Sequence, residues 1–298
     1  MHITYLKDLM NKLLILIQTL LPHHLLSRCM QWLTKVRWPA FKNLFIQTFV
    51  RLYKVDMSLA QEPEPTRYQH FNDFFTRALR PEARPVINAD DAIACPVDGT
   101  ISQSGVISDD QIFQAKGFNY SLNNLLGGAS DKVDPFRNGQ FATIYLSPRD
   151  YHRIHMPVSG RLLETIYVPG RLFSVNKRTT EHLPNLFARN ERLVTLFETD
   201  TGPMALILVG ALFVSGIETV WDGPIARQHS SPHRQLFDSD TDKDIILNRG
   251  EEMGRFNMGS TVILLFNQSV TITDKMQANT PVQMGQLLGN YFKTNRSN

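Results

Sequence analysis

The stretch Phe256-Asn257-Met258-Gly259-Ser260-Thr261-Val262-Ile263-Leu264-Leu265-Phe266 joins a turn-forming sequence to a continuous apolar run. The run over 261–266 is short and rich in β-branched and aromatic residues, which is typical of a buried strand. Comparable runs, separated by Gly, Pro, Asn and Asp, occur at 141–146, 160–168, 193–198, 204–214 and 270–273. From about residue 90 onward the sequence therefore predicts a β-rich domain, with an exposed polar loop over 229–244.

The N-terminal region has a different character. Pro22 and Pro39 interrupt it, and proline is rarely tolerated inside a helix. The sequence between and around these prolines favours helix, and we predict three helices, over 3–21, 24–36 and 41–54.

A polar linker over 61–65 follows these helices, and an amphipathic segment over 71–79 predicts one more short helix. We therefore predict an α+β fold, in which amphipathic N-terminal helices over 1–60 precede a β-rich domain over 61–298. The ending 281–289 resembles the turn of a lipoyl-type barrel-sandwich hybrid, which implies a barrel-like arrangement of that domain. With 298 residues, 42% of them hydrophobic, the chain is long enough for one sizeable core.

Charge is unevenly distributed along the chain. Residues 1–55 hold eight Lys or Arg residues and one acid, Asp8, although the net charge of the whole chain is only +3. Large apolar residues lie between these cations, a pattern typical of helices on a membrane surface. The apolar run ends at Pro22 and is shorter than the roughly 20 residues that cross a bilayer. The alternative is that these helices pack on the domain core.

The cysteines and histidines limit the metal and redox chemistry. Cys29 and Cys95 are far apart and form no CxxC pair, which argues against a disulfide framework or a zinc ribbon and indicates a reducing compartment. His152 and His155 could supply two metal ligands, but no third ligand stands at a recognisable spacing. We predict no metal site.

Three segments carry side chains whose chemistry is hard to explain by packing: 95–100 with Asp98, 146–157 with His152 and His155, and 256–262 with Ser260. Each has a structural explanation when taken singly. Asp98-Gly99 is a common turn dipeptide, the histidines could be ordinary buried or surface residues, and Gly259-Ser260 could be a turn into a strand. Spacing alone leaves both explanations open.

Taken together, the three segments resemble the phosphatidylserine decarboxylase family, in its pyruvoyl-dependent bacterial type. Further similar stretches run through nearly the whole chain, at 53–56, 71–75, 114–117, 167–170, 185–192 and 281–286. One departure concerns the family's usual Leu-Gly-Ser-Thr, where this chain has Met258 in the first position. Leu and Met are similar in volume and polarity, so we expect the exchange to be tolerated.

The resemblance implies that the chain cleaves itself between Gly259 and Ser260. The products would be a beta chain, 1–259, and an alpha chain, 260–298. By family analogy, Ser260 Oγ attacks the Gly259 carbonyl, and elimination and hydrolysis then convert Ser260 into a pyruvoyl group. This covalent cofactor supplies the electron sink that decarboxylation of an amino acid requires, and its carbonyl is the Schiff-base site for the substrate amine.

The resemblance also suggests roles for the other polar residues. His155 is the candidate base for Ser260, and Asp98 would orient and stabilise its imidazolium, so that the three form a self-processing triad. His152 is assigned to proton transfer or substrate positioning. Glycine at 259 would leave the path of attack open.

The implied reaction converts phosphatidylserine into phosphatidylethanolamine and carbon dioxide at a membrane surface. The expected location is the cell membrane, peripherally on its cytoplasmic face, where cationic helices suit anionic lipid. The two chains of one precursor would form a heterodimer, the resemblance allows a homo-oligomer, and no nucleic-acid partner is expected.

Three other functions fit parts of the sequence. A serine hydrolase could use Ser260, His155 and Asp98, although no Gly-x-Ser-x-Gly elbow surrounds Ser260. A non-catalytic membrane-binding module would need only the N-terminal helices. A pyruvoyl enzyme for a soluble amino acid would have no use for them.

Overall fold

A computed structural model of the chain describes residues 2–212, 216–225, 230–237 and 244–292. Seven α-helices occur in this part of the chain: α1 His2–Leu20, α2 His23–Thr34, α3 Pro39–Tyr53, α4 Phe71–Phe75, α5 Leu122–Leu125, α6 Lys177–Thr180 and α7 Leu186–Arg189. The three predicted N-terminal helices are confirmed to within two residues at each end. Pro39 opens α3, where its missing N–H costs nothing, and Lys54 ends it in a left-handed conformation.

Helix α4 is shorter than predicted and ends at Phe75 rather than at residue 79. Its aromatic side chains pack against α3 in a cluster that we call the aromatic cluster: Ile46, Phe49, Val55, Tyr68, Phe71, Phe74 and Phe75. Rings of the two helices stack directly, with 4.3 Å between the centroids of Phe45 and Phe71. Helices α3 and α4 are therefore joined by a small core of their own.

The remaining described chain is mostly sheet, which confirms the α+β class. Its strands are β1 Ala92–Ala94, β2 Gly99–Val106, β3 Gln111–Ala115, β4 Phe118–Ser121, β5 Gln140–Tyr145, β6 Arg153–His155, β7 Gly160–Val168, β8 Arg192–Thr199, β9 Gly202–Val209, β10 Ile217–Thr219, β11 Gly223–Pro224, β12 His233–Leu236, β13 Ile246–Leu247, β14 Glu252–Phe256, β15 Thr261–Phe266, β16 Val270–Ile272, β17 Pro281–Val282 and β18 Leu287–Tyr291.

Strand β15 lies in the interior of the largest sheet, whose order is β12-β7-β8-β9-β15-β5-β2-β17, with β13 added beside β7. Both of its neighbours are antiparallel to it: Thr261 is level with Tyr145 of β5 and with Val209 of β9. Smaller sheets follow the orders β11-β10-β14-β6, β1-β18-β16 and β3-β4. The strand predicted from the opening sequence is thus paired along both edges.

The two faces of β15 contribute to two different cores. Val262, Leu264 and Phe266 belong to one hydrophobic cluster, and Ile263 and Leu265 belong to the other. Successive side chains of a strand point to opposite faces, so a strand that is covered on both sides is apolar throughout. This explains why the sequence shows a continuous hydrophobic run instead of alternation.

Three details differ from the sequence-based expectation. The described strands form open sheets and do not close into a barrel. The predicted loop over 229–244 contains the edge strand β12, while residues 229 and 238–243 lie outside the described residues. Strand β9 ends at Val209, well before the predicted end at 214.

The N-terminal helices leave many large apolar side chains in solvent, among them Leu20, Leu25, Trp32, Trp38, Leu44 and Leu52. Among the described residues no single helix is long and apolar enough to cross a membrane. The segments Leu13–Leu20 and His23–Thr34, bent by 76° relative to each other, meet the length and composition criteria only as a pair.

Candidate active site around Gly259 and Ser260

Ser260 lies at the start of β15, between the ends of two neighbouring strands. Its carbonyl accepts a hydrogen bond from the Leu146 amide at 2.9 Å. Its side chain is fully buried, and its Oγ donates a hydrogen bond to the Val209 carbonyl. The sheet therefore fixes the serine from both sides.

The turn before Ser260 is held by a separate set of contacts. The Phe256 amide donates to the His152 carbonyl at 3.0 Å, and the Asn257 amide donates to the Gly216 carbonyl at 3.0 Å. Asn72 on α4 donates from Nδ2 to Asn257 Oδ1 at 2.9 Å within the interior. The helical region and the sheet thus meet at this turn.

Met258 has an unusual backbone conformation. Its φ of +130° lies in a region that residues with a side chain rarely adopt, and such strain persists only where surrounding contacts enforce it. The Met258 side chain packs against the aromatic cluster, which supplies one of these contacts. Met258, which precedes Gly259, is therefore strained and anchored.

Gly259 occupies a position with little room. A Cβ atom at this residue would lie 3.3 Å from the Leu146 carbonyl oxygen and 3.4 Å from His152 Nε2. Glycine is consequently the residue that fits here without displacing a neighbour. The same measurement shows that the His152 ring lies directly beside the Gly259-Ser260 segment.

His152 is a buried, neutral base. Its Nδ1 is 2.8 Å from the Asp150 carbonyl, which can only accept, so Nδ1 carries the proton and Nε2 keeps its lone pair. Nε2 is buried and has no hydrogen-bond partner among the described residues. Burial, together with the nearby Arg77 charge, lowers the pKa of His152 to about 3. The Phe75 ring packs on it with 4.0 Å between centroids.

His155 has partners at both ring nitrogens. Nδ1 donates to the Gly250 carbonyl at 2.7 Å, and Nε2 accepts from the Tyr151 hydroxyl at 2.9 Å. Its backbone amide donates to the Pro96 carbonyl at 2.9 Å, which brings β6 alongside the Asp98 segment. Burial lowers the pKa of His155 below its usual value, so this ring too is neutral near pH 7.

Asp98 is engaged by an arginine that the sequence did not single out. Arg84 Nε donates to Asp98 Oδ1 at 2.8 Å, and the other carboxylate oxygen accepts from Arg84 Nη2 at 2.5 Å. The Met284 amide adds a further hydrogen bond to Oδ1 at 2.9 Å. Both side chains of the Arg84–Asp98 ion pair are about nine-tenths buried.

These contacts show which predicted residues the fold brings together. Gly259, Ser260 and His152 form one group, whereas no hydrogen bond in the described chain joins Asp98 to His155 or His155 to Ser260. The assignment of catalytic roles stays a prediction. Within the described residues no group of three or more His, Cys, Asp or Glu side chains is arranged to hold a metal ion.

A cavity of about 200 Å³ reaches the segment from the helical side. Its walls are mainly aromatic and aliphatic, with Phe49, Tyr53 and Phe75 from the helices and Tyr145 from β5. Ser174 and Asn176 add polar groups, and Met258 and Gly259 border it. Sequence patterns gave no signal for Ser174 and Asn176, which lie in a loop distant from the three polar segments.

Comparison with known proteins finds family matches that include the residues of this site. A family model described as phosphatidylserine decarboxylase matches residues 71–290, and a second, described as PSD, matches residues 13–54. The first match includes Asp98, both histidines and the Gly259-Ser260 bond.

Curated relatives named phosphatidylserine decarboxylase proenzyme are similar over almost their full length. The protein from Ectopseudomonas mendocina (strain ymp) is 52% identical over 285 residues, covering 94% of this chain and 98% of the relative. The proteins from Nitrosococcus oceani and Bordetella pertussis are 52% and 51% identical over 279 residues each, covering 93% of this chain and 90% and 94% of the relatives.

An α+β fold with a Gly-Ser bond whose serine is buried and whose glycine lies beside a neutral histidine, matched in this way, defines the chain as an enzyme of the decarboxylase class. More narrowly, it belongs to the phosphatidylserine decarboxylase family. The resemblance read from the sequence segments is confirmed, and nothing in the comparisons favours the hydrolase or the membrane-module alternative.

A Gly259→Ala change tests the crowding at the cleavage bond. We expect self-cleavage to slow by at least about tenfold, since small displacements of reacting groups have large effects on rate. The rate is measured as the appearance of fragments 1–259 and 260–298 by intact mass. Met258→Leu, which restores the family's usual residue, is the matched control and should cleave at the parent rate. Equal rates in all three chains would contradict the prediction.

The low pKa of His152 predicts an acid-sensitive fold. The unfolded chain protonates His152 near pH 6.5 and the folded chain does not, so stability is greatest above that pH and falls as pH decreases towards 3. Over this pH range, His152 lowers the free energy of unfolding by about 1.4 kcal/mol for each pH unit of acidification. Urea unfolding measures this effect between pH 7 and 4. The free energy of unfolding of the uncut Ser260→Ala chain should fall more steeply with decreasing pH than that of the same chain carrying His152→Gln. Parallel curves for His152→Gln and its parent would refute the assignment.

Proposed function

We propose that this protein decarboxylates phosphatidylserine to phosphatidylethanolamine, using a pyruvoyl group that it makes by cleaving its own Gly259-Ser260 bond. The observation that carries the proposal is the placement of that bond. Its serine is buried, and its glycine borders a cavity and lies beside His152 Nε2, which has no partner among the described residues. Family membership supplies the reaction class.

The residues present fit a pyruvoyl group. Ser260 is fully buried at the end of a doubly paired strand, and an orphaned acceptor, His152 Nε2, faces the adjoining Gly259. When formed, the group supplies an electron-accepting carbonyl next to the substrate amine. His152 would hold a proton at this place and return it, since its other nitrogen is fixed by Asp150.

Self-cleavage requires hydrogen bonds to be exchanged first. Ser260 Oγ donates to Val209 in the described arrangement and must turn to the Gly259 carbonyl carbon. For His155 to accept the serine proton, its ring must release Tyr151 or Gly250. Attack then replaces the peptide bond by an ester and frees the Ser260 amine. Elimination then removes the Ser260 Cα proton, breaks the Cβ–Oγ bond and releases the Gly259 carboxylate. Water hydrolyses the remaining enamine, which releases ammonia and leaves the ketone.

After cleavage the two chains remain one folded unit in this proposal. The fragment 260–298 contributes β15 between β5 and β9, and β17 beside β2. It also contributes β18, which pairs with β1. Strand pairing and two-sided burial replace the lost covalent bond, so the fragments form the heterodimer expected from the sequence.

The substrate would come from a membrane. The aromatic wall of the cavity is built by Phe49 and Tyr53 of α3, and the exposed apolar side chains of α1–α3 lie on the same helical region. A surface-bound arm lets the enzyme take a headgroup from a lipid that keeps its acyl chains in the bilayer. We propose a peripheral location on the cytoplasmic face of the cell membrane.

Four single changes separate cleavage from decarboxylation. Ser260→Ala should stay uncut and inactive, because the nucleophile is gone. His155→Ala should accumulate as the uncut chain. His152→Ala should cleave, but its decarboxylation rate should fall by at least about 100-fold, the usual effect of removing a proton-transfer group. His182→Ala, remote from the site, is the control.

Intact mass and carbon dioxide release from phosphatidylserine vesicles are measured for each chain. An uncut His152→Ala chain beside a normally cut His155→Ala chain would reverse the assigned roles. An uncut wild type that hydrolyses esters would replace the proposal by a serine hydrolase.

Membrane binding is tested at two exposed tryptophans of the arm. Trp32 and Trp38 are 73% and 68% exposed. Full burial of a large apolar side chain is favourable by about 1.5–3 kcal/mol. Changing both to Ser should weaken binding of the Ser260→Ala chain to phosphatidylserine-containing vesicles by at least tenfold in a flotation assay. The control is the pair Leu236→Ser and Ile246→Ser in the sheet domain, and equal binding of all three chains would contradict the prediction.

A further inference from the structure

A second cavity, of about 240 Å³, lies near the site and is lined by Asp98 of the predicted self-processing triad, but its other charged side chains have no role in the proposed reaction. It is enclosed by the end of α3, the segment after α4 and the loop that leads to His152. Its charged lining residues are Lys54, Asp56, Arg77, Arg84, Arg149 and Asp150, together with Asp98. With so many charged groups around one small cavity, it matters which of them are paired with a group of opposite charge.

Arg77 is the unusual member of this set. Its side chain is 4% exposed, and its Nη2 donates to the Arg149 carbonyl at 3.1 Å. Nε and Nη1 are buried and have no hydrogen-bond partner in the part of the chain that the structure describes. No carboxylate in the described part of the chain forms an ion pair with it. The Phe74 ring lies 5.5 Å from Arg77 Cζ, and Asp98 and Asp150 stabilise the charge without forming a direct ion pair. A buried charge without a directly paired counter-ion is unfavourable, so among the described residues this cation has no bound anion.

The carboxylates around the cavity are already engaged. Asp98 is held by Arg84, and Asp56 accepts from the Ser58 amide and hydroxyl at 2.9 and 2.7 Å. Asp150 accepts from the Ser147 amide at 2.7 Å. Each acid thus has its own donor, and positive charge is left over at Arg77 and at the rim.

We propose that this cavity binds an oxyanion of the phosphate class. Arg77 provides a buried positive charge at the cavity wall and two N–H groups, Nε and Nη1, that have no partner among the described residues. Guanidinium N–H groups are strong donors to phosphate oxygens. Lys54 at the cavity wall adds charge from the side, whereas Arg149 is paired with Asp150 at 3.8 Å. The ligand could be the phosphodiester of a lipid headgroup or free phosphate, and only the lipid source rests on the proposed function.

Occupancy of the site would affect the neighbouring histidine. The Arg77 charge is one of the causes that lower the pKa of His152, and Asp150, beside the cavity, holds His152 through its carbonyl. A bound anion offsets that charge and makes His152 easier to protonate. The site therefore couples anion binding to proton transfer at Gly259-Ser260.

Thermal unfolding of the full-length Ser260→Ala chain tests the site without any need for activity. In phosphate-free buffer, Arg77→Gln should unfold at the same or a higher temperature than its parent, since it removes an unpaired buried charge. Added inorganic phosphate should raise the parent's Tm saturably, because a ligand that binds only the folded state stabilises it. The variant should show no saturable rise.

Two controls keep this result specific. Potassium chloride at matched ionic strength should not reproduce the rise, and Arg137→Gln, which removes an exposed arginine paired with Asp134, should respond to phosphate like the parent. If Arg77→Gln does not fold, Lys54→Gln replaces it and should shift the half-saturating phosphate concentration several-fold. An equal rise in parent and variant would overturn the proposal, as would the lack of any saturable response to phosphate, glycerophosphoserine or vesicles.

The source of the anion is resolved with the self-cleaved enzyme. If phosphate raises KM for phosphatidylserine and leaves kcat unchanged, it binds where the lipid headgroup binds. Phosphate that alters kcat at saturating lipid occupies a separate site. Because binding to the Ser260→Ala chain is measured without turnover, failure of the anion site and failure of the proposed reaction give different results.

Discussion

The pairing of β15 along both of its edges is the constraint on which the rest of the structure depends. Its first residue, Thr261, is level with the ends of β5 and β9, so the residue before it must lie between them. Two cores, one on each face of the strand, prevent a shift of register, because a shift by one residue would exchange the two sets of side chains. The position of Ser260 is thus set by the sheet and not by the loop that precedes it.

The sequence predicted the elements well where local physics decides them. Prolines at 22 and 39 marked the helix boundaries, and the continuous run 261–266 marked a strand with two buried faces. The sequence predicted the elements less well where contacts between residues distant in the chain determine the structure. Helix α4 stops at Phe75 although an amphipathic pattern continues, and the edge strand β12 forms in a polar stretch because β7 offers it an open edge.

The candidate site shows the same division. Residue types and the family resemblance identified Asp98, His152, His155, Gly259 and Ser260. Their present partners could not be read from the sequence: Arg84 for Asp98, Tyr151 and Gly250 for His155, and the Val209 carbonyl for Ser260. These are contacts made by tertiary structure between residues that share no spacing pattern. Arg77, which lies just after α4 and belongs to no sequence motif, acquires its significance only from its burial.

The placement of β15 near the end of the chain also has a consequence for the order of events during synthesis. The cleavage bond acquires its surroundings only after the C-terminal strands have inserted between or beside strands made much earlier, β5, β9, β2 and β1. The turn that carries Met258 further requires the aromatic cluster of the helical region. In the proposed reaction, a chain that has not finished folding therefore has no assembled bond to cut. The cut would then serve as a built-in checkpoint, and only correctly completed molecules would acquire the reactive group.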